Sequence, residues 1–167
     1  LLMASATAAE RIDETRPIHS DGVVEISNVR GSIRVEGGAR SDVGISALLG
    51  DGVEGLKVEG DARRLSIKVQ YPNSDGGWFS GWSSGGKAGD SALTVTVPAG
   101  VTLVVIGVSA DIDVSGLAGA RVDVSTVSGD VAYAGSAEEL HIESVSGDVE
   151  ITGSAAEVSL HSVSGDM

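Results

Sequence analysis

Apolar and polar residues alternate along much of the chain. VVEIS at 23–27, SIRVE at 32–36, DVGIS at 42–46, LKVE at 56–59 and RLSIKV at 64–69 each place an apolar side chain at every second position. That period puts one kind of side chain on each face of an extended segment, which predicts half-buried β-strands. Gly-containing turns separate them. Their spacing is irregular, which predicts imperfect coils or strands that pair in some other way. LTVTVPAGVTL at 93–103 predicts further strand around a turn at Pro98-Ala99-Gly100, where Pro fixes φ and Gly tolerates positive φ.

Further on the alternation becomes a repeat. VSGD stands at 127–130, 145–148 and 163–166, with a degraded copy, VSAD, at 108–111, so the spacings are 19, 18 and 18 residues. A fixed period this short predicts a solenoid, one coil of chain per repeat. Laid in register, Val108, Val127, Val145 and Val163 share one column, and Ile112, Val131, Val149 and Met167 the next. Val114, Tyr133 and Ile151 follow, then Val122, Leu140 and Val158, then Val124, Ile142 and Leu160. Each coil is expected to hold two short strands, with turns at SGD and near Gly135 or Gly153. In this reading the valine of VSGD points inward, Gly permits the turn and Asp secures it. A single coil buries too few side chains to offset the ordering of its backbone, so coils must stack, and parallel in-register stacking puts like residues in columns.

Stacking would set Asp111, Asp130, Asp148 and Asp166 one rung apart. Two carboxylates at ~4.8 Å repel by roughly 1 kcal/mol even at the dielectric of water. One offset is an Asx-turn, each carboxylate accepting from amides of its own turn. The other is Ca²⁺, which favours stacked carboxylates and carbonyls. The Ca²⁺ β-roll, however, carries GGxGxD in every nonapeptide, and here only one half of each coil carries SGD.

Composition narrows the function classes. The chain has 167 residues, enough for one domain, with 24 Gly, 3% aromatic residues and no Cys. Disulfide and thiolate chemistry are therefore absent. Net charge is −13. Residues 1–87 hold 10 basic and 12 acidic side chains, while 88–167 hold Arg121 alone against 12 acidic ones. A face this acidic repels nucleic acid and anionic lipid and leaves a basic partner or a cation open. LLMASATAAE resembles the end of a signal peptide, with Ala6-Thr7-Ala8 fitting the cleavage pattern. Residues 1–20 are read as that remnant plus an arm, and 21–167 as the solenoid domain. No stretch approaches the ~20 apolar residues of a membrane-spanning helix.

Residues 71–90, YPNSDGGWFSGWSSGGKAGD, break the pattern with a Gly/Ser loop far longer than a usual connection. Trp78, Phe79 and Trp82 in it are the candidate partner contact, since loop aromatics commonly anchor proteins or sugars. The alternative is that the rings fold back to cap the solenoid. His19, His141 and His161 fall at scattered polar positions and predict no metal site. No nucleophile–base spacing and no phosphate loop occur, so catalytic and cofactor-binding residues are expected to be none. The function expected is a non-enzymatic scaffold or binding module presenting an acidic face and an aromatic loop to a protein or glycan. The alternatives are a polysaccharide-acting β-helix enzyme, which would need a groove with two close carboxylates, and a Ca²⁺-stabilised surface repeat using Asp111, Asp130, Asp148 and Asp166.

NVRGSIRVEG at 28–37, RRLSIKV at 63–69, LTVTVPAGVTL at 93–103 and the serial VSGDV units resemble the bacterial putative-adhesin family over about 21–167. The resemblance implies an all-β fold, a right-handed single-chain parallel β-helix or β-solenoid. It implies an exported protein, periplasmic or at the cell surface, with no catalytic residues to carry over. The loop at 71–90 departs from the family's pattern. Since family members usually continue for further coils, an end at Met167 predicts truncation, or a neighbour covering the last strand by end-to-end or edge association.

Overall fold

The computed structural model describes residues 10–71, 89–118 and 121–166. Among them the chain is all-β, with ten strands in one open sheet. The strands are β1 (Glu10–Pro17), β2 (Val23–Gly38), β3 (Asp42–Leu49), β4 (Gly55–Gly60) and β5 (Arg64–Gln70), then β6 (Ser91–Pro98), β7 (Thr102–Ser115), β8 (Arg121–Ser128), β9 (Val131–Ser146) and β10 (Val149–Ser164).

The long strands turn a corner partway along. In β2 the buried positions run Val24, Ile26, Asn28, then resume at Ile33 and Val35, one residue out of step. Gly31, with φ of 107°, takes up the change of phase. The two arms of β2 have different neighbours. Val23–Ser27 pair with β5, whereas Gly31–Gly38 pair with β6. Both arms bury their apolar faces in one core cluster that runs from Ile18 to Val149. The sheet thus forms two walls around a single core of Val, Ile and Leu.

From β7 onward every pairing is parallel. The first wall continues β2–β7–β8–β9–β10 through Leu103↔Val122, Val122↔Leu140 and Leu140↔Val158. The second wall continues through Ile33↔Ile112, Ile112↔Val131 and Val131↔Val149. The corners stack as well. At Gly129 and Gly147, with φ of 132° and 129°, an added Cβ would run into the carbonyl of the corner residue on the preceding rung. These corners therefore need Gly on two counts, backbone sign and contact.

β1, β3 and β4 have only antiparallel partners and do not form coils. β1 pairs antiparallel with β3, β3 with β6, and β4 with β5. A short connection explains the last of these. Three residues join β4 to β5, and a parallel crossover needs a dozen or more. Asp61 builds that hairpin by accepting from the Arg63 and Arg64 amides at 2.8 and 3.1 Å, which holds its carboxyl below the ordinary value. Residues 10–17, expected as an arm, are β1 and pair with β3 along their whole length.

The valine of VSGD faces out, which corrects the inward column expected for Val108, Val127, Val145 and Val163. Val145 and Val163 are exposed by 47% and 70%, and Val108 and Val127 are half-buried. The inward position is the residue before. Asn28, Gly107, Thr126, Ser144 and Ser162 pair in one column, and all of these but Ser162 are buried. Period-two counting from Val122 and Val124 puts Thr126 inside and Val127 outside. Phase is then reset at Gly129, so Val131 and Tyr133 are inside again.

Candidate binding surface

The four aspartates of the repeat form a ladder. Asp130 N–H donates to Asp111 Oδ1 at 3.1 Å, Asp148 N–H to Asp130 Oδ1 at 3.0 Å, and Asp166 N–H to Asp148 Oδ1 at 3.0 Å. The partner lies one rung away, not within the carboxylate's own turn as an Asx-turn would have it. The physical reason is the corner. Positive φ at Gly swings the following amide away from the strand ladder, and the preceding rung's carboxylate supplies the missing acceptor. Main-chain bonds run beside it, with Ile112 N–H donating to Asp130 O at 2.8 Å and Val131 N–H to Asp148 O at 2.9 Å. The carboxylates of Asp111, Asp130 and Asp148 each thereby gain a donor that offsets repulsion along the column.

This ladder lines a shallow groove of about 750 Å³ on the outer side of the second wall. Asp113 and Glu150 join Asp111, Asp130, Asp148 and Asp166 along it, and Ala132 leaves room between them. Arg34 closes one end, 3.6 Å from Asp113 and more than half exposed. Six carboxylates against one guanidinium give the groove a negative field that a cationic group would enter and an anion would not. Among the described residues no three His, Asp or Glu side chains are arranged to hold a metal ion. The carboxylates of Asp111, Asp130 and Asp148 each face an amide of the next rung and do not converge on a point.

The other predicted positions are dispersed. His141 Nε2 lies 3.1 Å from Glu143 Oε1 on the outer side of the first wall, and His161 pairs across from Glu143. His19 sits in the turn before β2, its amide bonded to Ala62 O. Trp78, Phe79 and Trp82 lie outside the described residues, as do Met167 and the cleavage pattern at Ala6-Thr7-Ala8.

A buried polar lock holds both sides of the 71–90 insertion. The Tyr71 hydroxyl donates to Asn28 Oδ1 at 2.7 Å, with the Arg30 carbonyl at 3.0 Å. Asn28 Nδ2 donates to the Ser91 carbonyl at 3.1 Å, and Gly50 N–H to Ser91 Oγ at 3.3 Å. Burial raises the Tyr71 phenol above its ordinary value. The only sequence signal was Asn28, an amide at an inward position of an alternating strand.

Among the described residues no helix is long and apolar enough to cross a membrane, a statement about helices and not strands. No curated protein matches the sequence. The fold is similar to the crystal structure of a putative cell adhesion protein from Clostridium sporogenes, with a TM-score of 0.59 at 9% identity, covering 94% of this chain and 97% of that one. A putative adhesin from Bacteroides fragilis aligns at 14% identity with a TM-score of 0.38, over 94% of this chain and 95% of that one. A putative adhesin from Parabacteroides distasonis aligns at 11% with 0.32, over 94% and 77%. Of these three the first speaks to the fold. The sequence itself matches the Toastrack DUF4097 family over residues 23–167, and the chain belongs to that family.

Proposed function

We propose that the protein is a non-enzymatic binding module or scaffold of the bacterial cell envelope, exported to the periplasm or cell surface. Its regular body, from β7 onward, is a right-handed parallel β-solenoid with coils of about 18 residues. The offsets Val131↔Val149 and Leu140↔Val158 support that coil length. The observation that carries the reading is the acidic groove, six carboxylates repeated along four rungs on an outer wall. A repeated charged face suits extended contact with a partner better than turnover of a small substrate. The cell adhesion name of the Clostridium relative points the same way. Trp78, Phe79 and Trp82 add a second contact from the Gly/Ser insertion. The partner is a protein or a glycan.

The test is capture from the envelope fraction of the source bacterium. Wild-type protein should retain a partner that D113N/D130N/D148N/E150Q loses at an unchanged unfolding midpoint. W78A/F79A/W82A should weaken the same capture. Retention by both variants at wild-type levels would sink the proposal.

A further inference from the structure

Val29, Val145 and Val163 are exposed by 38%, 47% and 70% on the outer side of the first wall, with Val108 and Val127 half-buried between them. The flanking pairs Asn28↔Gly107, Gly107↔Thr126, Thr126↔Ser144 and Ser144↔Ser162 place the five in one outward column. At ~4.8 Å per rung this ridge is about 19 Å long. Val104 and Ile106, half-buried on the same side of β7, broaden it. Scattered surface valines need no explanation, but a continuous row marks a contact surface. Around the SGD corner, three residues away, runs the Asp111–Asp130–Asp148–Asp166 column. Three residues span at most about 10 Å. An apolar row and a row of carboxylates therefore run side by side along the stack.

The spacing selects the occupant. Same-face neighbours on an α-helix rise about 4.5–6 Å, close to the rung repeat, and a helix about 10–12 Å wide covers both rows. A strand laid along the stack repeats its face every ~6.6 Å and falls out of step after one rung. Charge selects further. A second copy of this chain carries −13 and is repelled, as are phosphate backbones.

We infer that this corner docks a basic amphipathic helix of a partner protein, its apolar stripe on the valine ridge and its Lys or Arg side chains on the aspartate column. The inference rests on the binding-module reading and assigns that reading a surface and a partner class.

Two fluorescent peptides test it on the intact protein by anisotropy. Both are about 16 residues of Leu and Lys in the same proportion, one with Leu at helical spacing and one with Leu at every second position. The helical peptide should bind and the alternating one should bind at least about tenfold more weakly. V127T/V145T/V163T, which changes outward positions only, should weaken the helical peptide by about tenfold or more at an unchanged unfolding midpoint. D130N/D148N keeps the Oδ1 acceptors of the ladder, and it should weaken binding and flatten its salt dependence. Equal affinity for both peptides, no binding of the helical one, or indifference to the valine substitutions would overturn the inference. If capture from the envelope fraction persists under any of those results, the surface is wrong and the binding-module reading stands. If the helical peptide behaves as expected but nothing is captured, the reverse holds.

Discussion

The strands before the 71–90 insertion and those from β7 onward solve the same problem differently. The earlier region closes by hairpins and by side-chain bonds between distant residues, such as Tyr71 to Asn28 and Asn28 to Ser91. The later region closes by rung-to-rung bonds that recur with the repeat, main chain and Asp carboxylate together. Charge follows the same division. In the earlier region exposed pairs such as Arg40–Asp42 at 2.8 Å and Lys57–Glu59 at 2.9 Å balance one another. In the later region Arg121 serves both Asp123 and Glu139, and the remaining carboxylates accumulate on the outer walls. A repeat that builds a wall cheaply also repeats its charge, so the regular half becomes the acidic half.

The largest break in that comparison comes from a corner glycine. Gly147→Val meets both a φ of 129° and the Gly129 carbonyl, and should cost at least about 3 kcal/mol in urea unfolding. Gly38→Ala in β2, with nothing within 4 Å of its added Cβ, should stay within about 0.5 kcal/mol. Next comes the lock. Tyr71→Phe leaves the buried Asn28 Oδ1 without its donor and should cost about 1–3 kcal/mol.

The reassigned valine column gives a paired test of similar size. Val124→Thr buries a hydroxyl at a fully buried position and should cost about 1–3 kcal/mol, whereas outward Val145→Thr should be neutral within about 0.5 kcal/mol. In the inward polar column Ser144 Oγ is buried without a hydrogen-bond partner. Ser144→Ala should therefore raise stability by up to about 1 kcal/mol, the opposite sign to the loss expected at Asn28 in the same column.

The smallest effect is alkaline. Burial raises the Tyr71 and Tyr133 phenols above 10.0. Below pH 10 both folded and unfolded chains hold these protons. Above it the unfolded chain releases them first, so stability falls as pH rises toward the folded-state values. Tyr133→Phe should flatten that decline in thermal melts taken across the alkaline range.

The repeat was legible because parallel in-register stacking turns sequence period directly into columns, and Val122, Leu140 and Val158 need no other information to be aligned. The facing of VSGD was misread because Val looks inward by chemistry while Thr126 and Ser144 look outward. Alternation counted from Val124 overrules both, and the corner conceals the change of phase. The antiparallel pairing of β1, β3 and β4 was not legible, since alternation names the buried face and not the neighbour. The Asn28–Tyr71–Ser91 lock joins residues 43 and 63 apart and leaves no local signal. The Asp column was visible as a column, but its hydrogen bonds run between rungs, and single-turn chemistry points to bonds within one.

The proposed function puts partner contact on the regular acidic region. Amide hydrogen exchange of the protein, alone and with its captured envelope partner, tests this most directly. Protection should appear along β9 and β10, around Asp130, Ala132, Asp148 and Glu150, with β1, β3 and β4 unchanged. A footprint confined to β1, β3 and β4, with the β9–β10 corner exchanging as in the free protein, would contradict it.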